Sequence, residues 1–416
     1  MAPSHHEGSR ASTPDHVNSE MPSEAGAPGE QLGRRPRVVI LTSDFGGGTG
    51  NHLLQRLREP DSARVDVRIL TEVRRTARID PPVPVEHLRP FGPVDVYPIA
   101  QCRRFLELRK RLNELRPDVL HTFFFWPVLY GRLLKKIGVV DRLVENREDL
   151  GFNWGYQEYA LLRLTRRLPD RVIAVAQAVK QQAVAKERLR PDHVTVIRNG
   201  IRAEPVKTRP GGELEALRRE LGIGRDAPVV GMVANLNRPV KGARFLVDAV
   251  PAILDEAPET RFLVVGDGDL LPRLRRRAET RQIEDAIVFA GYRDDVDACY
   301  QTMDVAVLPS LSEGLSITLL EAMRHELPCV ATNVGGNSEI VVDGVTGYLV
   351  PARDVDALSS RILELVERPE LRQELGRAGR RRVTSEFDMT AVARRYSDVY
   401  ESVISEHGPT SVGRRR

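Results

Sequence analysis

The chain has 416 residues, of which 41% are hydrophobic and 29% charged, and a formal net charge of +4 at pH 7. That length suits two domains and that composition a soluble globular protein, while so small a basic excess excludes a dedicated nucleic-acid binder. Three widely spaced cysteines, Cys102, Cys299 and Cys329, argue against a disulfide framework or a zinc cluster and fit a reducing cytoplasm.

Residues 1–35 are rich in Ser, Pro, Gly, Glu and His without apolar periodicity, so a disordered tail is expected; His5-His6 is too short a tract for a metal site. Order should begin at Arg37, where VVILT forms a buried first strand. Gly46, Gly47, Gly48 and Gly50 then separate this strand from an amphipathic helix, which lets backbone approach a ligand. The loop is no dinucleotide fingerprint, because the third glycine of that pattern would fall on Asn51, and it lacks the Gly-Lys-Ser/Thr of a P-loop.

Strand and helix patterns continue through VDVRIL, VDVYPI, a charged helix from about Gln101 to Leu115, and the strand PDVLHT with His121 near its end. Phe123 to Trp126 concentrate aromatics in a chain that has only 5% of them; they read as core or as an apolar acceptor surface. Arg147 and Asp149 follow another strand and either line a cleft or form a local ion pair. RVIAVAQAV and HVTVIRNGI complete the first half, ending in the tight turn Asn199-Gly200.

A Pro- and Gly-rich linker from Ala203 opens the second half. After the strand VVGMVA, Arg238 and Lys241 place two cations in a strand-to-helix loop, where they suit a diphosphate. Asp267-Gly268-Asp269 reads as a turn after the strand RFLVV rather than as a metal motif. The strand IVFAG leads to Tyr292 and Arg293. The runs Arg275 to Arg277, Arg380 to Arg382 and Arg414 to Arg416 read as solvated faces, with contact to anionic lipid headgroups as the alternative. No apolar run approaches the ~18 residues of a membrane span, and no signal-peptide core is present.

The stretch from Ala306 to Pro351 is the most informative. The apolar run Val305 to Leu308 reads as a buried parallel strand, Glu313 lies in the loop after it, and Ser316 is a plausible N-cap. Leu315, Leu319, Leu320 and Met323 recur at helical spacing until Leu327-Pro328, which puts Glu321 inside the helix, about one turn from Ile317. Seven residues separate Glu313 from Glu321. A helix start offers unpaired N–H groups and a partial positive charge to a pyrophosphate, here through Ser316, Ile317 and Thr318. The two carboxylates beside it can accept from sugar and ribose hydroxyls.

The run SEGLSITLLEAMRHELPCVATNVGGNSEIV, followed by GVTGYLVP, resembles the donor-site signature of the family-four retaining glycosyltransferases, which adopt the two-domain GT-B fold. The match combines the paired glutamates, Ala322-Met323, Pro328, the Gly335-Gly336 turn with Glu339, and Gly344 through Pro351, and extends more loosely from about Arg37 to about Val403. The resemblance implies an α/β architecture of two doubly wound parallel sheets facing across a cleft. Its segments would be a tail over 1–35, an acceptor-side domain over 36–202, a nucleotide-sugar domain over 203–385, a helix over 386–405 crossing back to the first domain, and a basic tail over 406–416.

The activity it implies is transfer of a sugar from a nucleotide-diphosphate sugar, with retention, to a glycan, lipid-linked or small hydroxylated acceptor, in the cytoplasm or peripherally at the inner face of the plasma membrane. No metal or other cofactor is implied. Glu313 would hold sugar hydroxyls, Glu321 the ribose, and Lys241 with Arg238 the diphosphate. Gly47 and Gly48 would face the donor phosphates, with Tyr292 and Arg293 near the base. The family has two histidines, one residue apart, at the end of the His121 strand; His121 matches the first and is carried over as a catalytic candidate, with a structural role as the alternative, and Phe123 replaces the second, which lines the sugar site. The family often has Ser in place of Ala176, and its usual Arg place, counted back from Lys241, falls on Leu236. Competing readings are a non-catalytic nucleotide-sugar binding module and a nicotinamide-dependent oxidoreductase.

Overall fold

The computed structural model describes residues 34–43, 47–71, 81–88, 98–152, 154–202, 204, 206 and 209–406. The chain divides into Met1–Arg34 and Arg35–Arg416, and the second unit carries the fold. The tails expected at both ends, the His5-His6 pair and most of the strand expected over VDVYPI lie outside the described residues. Pro98 and Ile99, the last two residues of that segment, instead open the helix Pro98–Leu115.

The first sheet has seven strands: β1 (Arg37–Thr42), β2 (Asp66–Thr71), β3 (Val85–His87), β4 (Val119–Phe123), β5 (Leu143–Arg147), β6 (Arg171–Ala174) and β7 (Val194–Val196). Their spatial order is β3-β2-β1-β4-β5-β6-β7, and every pairing is parallel. The second sheet has β8 (Val229–Val233), β9 (Arg261–Val265), β10 (Ile287–Gly291), β11 (Val305–Leu308), β12 (Cys329–Thr332) and β13 (Gly347–Val350). Its order, β10-β9-β8-β11-β12-β13, is also parallel throughout. Near-continuous apolar strands such as Val38 to Leu41 and Val305 to Leu308 are buried, as strands covered by helices on both faces must be.

Both sheets reverse direction of growth at one place, between β1 and β4 in the first and between β8 and β11 in the second. Connections leave the carboxyl ends of those paired strands in opposite directions and open a crevice there, where ligands of doubly wound sheets bind. The segments singled out in the sequence follow β1, β4, β8 and β11, so both crevices carry them.

Several contacts tie the two halves together. Ala176 cannot cap the helix Gln177–Glu187 with its side chain. Glu339 from the second half takes that role, accepting from the Ala178 N–H at 3.1 Å and from Arg198 at 3.0 Å. Asn199 donates to the Leu315 carbonyl at 3.2 Å, and His52 accepts from the Gly200 N–H at 3.0 Å. Burial, with Arg56 nearby, holds His52 down to about 3, so its ring is neutral and can accept. The helix Met389–Glu406 returns to the first half: Thr390 donates to Glu59, Arg64 pairs with Asp398 and Glu401, and the Arg56 guanidinium stacks 3.5 Å over the Tyr396 ring.

Candidate active site

The centre of the second crevice is a carboxylate held by a lysine. Lys241 Nζ donates to both oxygens of Glu313, at 2.8 and 3.0 Å, and Ser310 Oγ donates to Glu313 Oε1 at 2.6 Å. Glu313 is 7% exposed and the Lys241 side chain 20%. The two residues come from the loops after β8 and β11, neighbouring strands, and those loops are stitched by the Leu311 N–H donating to the Val240 carbonyl at 2.7 Å. Gly242, at φ 71°, makes the approach possible, since a Cβ there would sit 1.9 Å from the Pro309 carbonyl oxygen.

The pair retains spare capacity. An ammonium has three N–H donors, so one remains for a ligand after Glu313 is served, and a carboxylate with about four lone-pair sites can still accept from hydroxyls. Behind it, Gly335 at φ 54° packs directly on Glu313, where a Cβ would lie 1.8 Å from its carbonyl oxygen. Gly336 N–H then donates to the Gly314 carbonyl at 2.8 Å. The Gly-Gly turn thus fixes the backbone of the loop that carries Glu313.

The helix Ile317–Arg324 begins beside this pair. Ser316 is its N-cap and accepts from the Leu319 N–H at 3.4 Å, leaving Ile317 and Thr318 as donors without intrahelical partners. Ile317 also faces the first half, because a Cβ placed on Gly48 would be 3.9 Å from its Cδ1. Glu321 is partly buried one turn on, with the Tyr300 hydroxyl 3.2 Å from its Oε2 and 3.4 Å from the Thr318 carbonyl. Burial pushes the Glu321 carboxyl up to about 7 despite that hydrogen bond. Tyr300 had no signal in the sequence beyond its place in a short helix, Val296–Gln301; its ring stacks on His325 at 5.2 Å.

Other candidates stand further from this pair in their contacts. Arg238 is about half exposed and lies 3.6 Å from Asp149 of the first half, so Asp149 faces across the cleft rather than towards Arg147. Arg147 is instead buried in a network with Glu145, Glu187 and Arg132, donating to both Glu187 oxygens at 2.7 Å. Leu236, at the family's Arg place, is wholly buried. Arg293 is engaged by Asp295 at 2.7 and 2.9 Å and by Glu220 at 2.8 Å, whereas Tyr292 is 60% exposed at the end of β10.

His121 requires a correction. It is 0% exposed, its Nδ1 lies 2.8 Å from the Tyr400 hydroxyl, and its ring packs against Phe123, Tyr396 and Tyr400. Burial and the charge of Arg56 drive its pKa well below the usual histidine value. It is a neutral core residue beneath the returning helix rather than a residue that lines the cleft.

Comparison with known proteins agrees in both halves. Residues 46–204 match the model of Glycosyltransferase Family 4, and residues 227–368 match that of Glycosyl transferases group 1. The chain is 30% identical over 400 residues to alpha-maltose-1-phosphate synthase of Mycolicibacterium smegmatis, covering 88% of this chain and 99% of the relative. It is 24% identical over 316 residues to an Escherichia coli UDP-Gal:alpha-D-GlcNAc-diphosphoundecaprenol alpha-1,3-galactosyltransferase, covering 74% and 81%. Among solved structures, Anabaena HepE in complex with UDP and glucose superposes with a TM-score of 0.78 at 21% identity, covering 88% of this chain and 100% of that one. WaaG, a glycosyltransferase involved in lipopolysaccharide biosynthesis, gives 0.70 at 17% identity, covering 87% and 99%. The structural likeness places the two sheets in the GT-B arrangement.

Proposed function

The chain belongs to the group 1, family 4 glycosyltransferases, and from that premise we propose how its cleft moves a sugar. The activity is retaining transfer of a glycosyl unit from a nucleotide-diphosphate sugar. The observation that carries the site assignment is the Lys241–Glu313 pair beside the start of Ile317–Arg324, at the crevice of the second sheet.

In this reading Glu321 accepts from the ribose hydroxyls and Glu313 from hydroxyls of the transferred sugar. The diphosphate lies against the free N–H of Lys241, the Arg238 guanidinium and the Ile317 and Thr318 N–H groups, with Gly48 opposite. As the bond from the anomeric carbon to the diphosphate oxygen breaks, its electron pair leaves on the diphosphate; an acceptor hydroxyl forms the new bond on the same face and gives its proton to the departing diphosphate oxygen. The growing phosphate charge is met by donors already in place, which is where such preorganisation lowers the barrier most. These donors support a reaction that needs no metal. The acceptor is a glycan, a lipid-linked glycan or a small hydroxylated molecule. The enzyme works in the cytoplasm, at or near the membrane face; none of its described helices is long and apolar enough to cross a membrane.

A thermal-shift screen against UDP, GDP, ADP and their sugars tests this directly. A nucleotide at a hundred times its dissociation constant stabilises by about 2.7 kcal/mol, a readable rise in melting temperature. If none of the three families raises it, the donor-site reading falls.

A further inference from the structure

Glu148 is a recessed carboxyl that donor binding leaves unused. It stands on the loop after β5 and lines a cavity of about 340 Å³ together with Ser43, Phe124, Phe125, Trp126 and Trp154 from the first half and Arg238 from the second. The cavity adjoins the donor loop, since a Cβ on Gly314 would sit 1.9 Å from the Glu148 carbonyl oxygen. Its wall is aromatic: the Phe125 ring centroid lies 5.3 Å from that of Trp126 and 5.7 Å from that of Trp154. Phe124 holds φ 68°, a conformation a bulky residue adopts only when its surroundings demand it and one that clusters at functional sites.

The carboxyl is positioned from behind. The Tyr396 hydroxyl, on the returning helix, donates to Asn146 Oδ1 at 3.1 Å, which turns the Asn146 amide so that its Nδ2 donates to Glu148. Burial pushes Glu148 up to about 7, against the Asn146 hydrogen bond and the charge of Arg56, with Asp149 adding to the rise. The charged and titratable groups around it are thus Arg56 from the first helix, Tyr396 from the last, Arg147 and Asp149 beside it in sequence, the former committed to Glu187 and Glu145, and Arg238 across the cavity.

We propose that Glu148 is an acceptor-binding residue, receiving a hydroxyl of a neutral carbohydrate acceptor whose C–H face lies on the aromatic wall, with Asn146 and Tyr396 as its positioning residues. The proposal rests on the donor site lying at Glu313, next to which this cavity opens. Aromatic faces suit the apolar face of a pyranose, and a carboxylate suits its hydroxyl donors. An anionic acceptor fits poorly, because Glu148 and Asp149 both line the cavity and its exposed cation, Arg238, already faces Asp149 at 3.6 Å.

The two tryptophans of the chain, Trp126 and Trp154, both line this cavity, so intrinsic tryptophan fluorescence of the full-length protein reads it selectively. The probe is n-octyl β-D-glucopyranoside below its micellar concentration, with glucose 6-phosphate as the anionic counterpart. The expected result is a saturable change with the octyl glucoside whose affinity increases from pH 6 to 8, and no competition by the phosphate. Glu148→Gln should weaken it by roughly tenfold and flatten the pH profile. Tyr396→Phe should shift that profile while keeping the fold. Affinity for whichever nucleoside diphosphate binds, measured by calorimetry, should stay unchanged in both variants, which certifies the fold and separates this cavity from the donor site. Absence of a saturable signal, wild-type affinity and pH dependence in Glu148→Gln, or tighter binding of glucose 6-phosphate would each overturn the proposal. Loss of nucleotide binding by the wild type would instead overturn the donor-site reading and leave the fluorescence result standing.

Discussion

Replacing Glu313 by Gln separates the two jobs proposed for the Lys241–Glu313 pair. The variant keeps the size of the side chain and one oxygen able to accept from Ser310, now 2.6 Å away. It loses one of the two acceptors that Lys241 uses at 2.8 and 3.0 Å, and the charge behind the other. Exchanging charge-assisted bonds for neutral ones costs about 1–1.5 kcal/mol each, and the ammonium, itself 20% exposed, recovers part of that from water. A stability loss of about 1–2 kcal/mol follows. The effect on rate should be larger. A charge-assisted bond to a sugar hydroxyl that strengthens as positive charge develops on the sugar is worth about 1.5–3 kcal/mol in the transition state, so turnover should fall by roughly ten- to a hundredfold. Affinity for the free nucleoside diphosphate, which has no sugar to hold there, should change by no more than about threefold. The assay is single-turnover transfer or donor hydrolysis beside calorimetry with the diphosphate, using Ser310→Ala as the milder control. A folded Glu313→Gln enzyme with wild-type turnover refutes the reasoning. If diphosphate affinity falls as far as the rate, the carboxylate acts on the leaving group through Lys241 and not on the sugar.

Because burial pushes the Glu321 carboxyl up to about 7, nucleotide affinity should rise from pH 6 to 8 as the ribose acceptor becomes charged, and Glu321→Gln should lower that affinity and flatten the profile. A folded-state value raised above that of the free side chain also means this group's contribution to stability is present below about 4.5 and is lost as pH rises through about 7, a loss the variant should not show in melts across that window. EDTA treatment should leave transfer intact; complete inactivation reversed by manganese would show that a metal completes the donor site. Glu339→Ala removes the acceptor of the Ala178 N–H and the partner of Arg198, so it should destabilise the protein by about 1–2 kcal/mol with little change in diphosphate affinity; an unaltered melting temperature would remove this residue from the account of how the halves are joined.

Much of the second half was legible because its signals are local. An apolar four-residue run, Pro309, a serine N-cap and helical spacing of Leu319, Leu320 and Met323 specify strand, loop and helix without help from elsewhere, and the structure contains β11, the Ser316 cap and Ile317–Arg324 accordingly. What the sequence could not supply were partners distant along the chain. Lys241 and Glu313 were read as serving different parts of the donor, whereas the parallel pairing of β8 with β11 brings them to 2.8 Å of each other. Arg147 was read with Asp149 either as lining the cleft or as a local ion pair, but Glu187, forty residues on, satisfies it in the core, and burying that guanidinium without such a partner would be costly. Tyr300 behind Glu321 and Asn146 behind Glu148 carry no motif at all.

His121 shows how a strand-end histidine is misread. Its match to the first of the family's two histidines suggested a catalytic residue, and the alternation of a strand would allow it; the returning helix decides otherwise by laying Tyr396 and Tyr400 over that face. The same helix thereby links two loops of the cleft in one piece of packing. Arg56 stacks on Tyr396, Tyr396 orients Asn146, and Asn146 holds the carboxyl that opens on the aromatic cavity, while the loop of that carboxyl touches Gly314 next to Glu313. Arg56 of the first helix and Tyr396 of the returning helix therefore brace the loops that carry Glu148 and Glu313, the residues proposed to hold acceptor and donor. A change in how the two halves pack has a direct route to the distance between the reacting groups, and misplacement there by about 1 Å is enough to cost a hundredfold in rate.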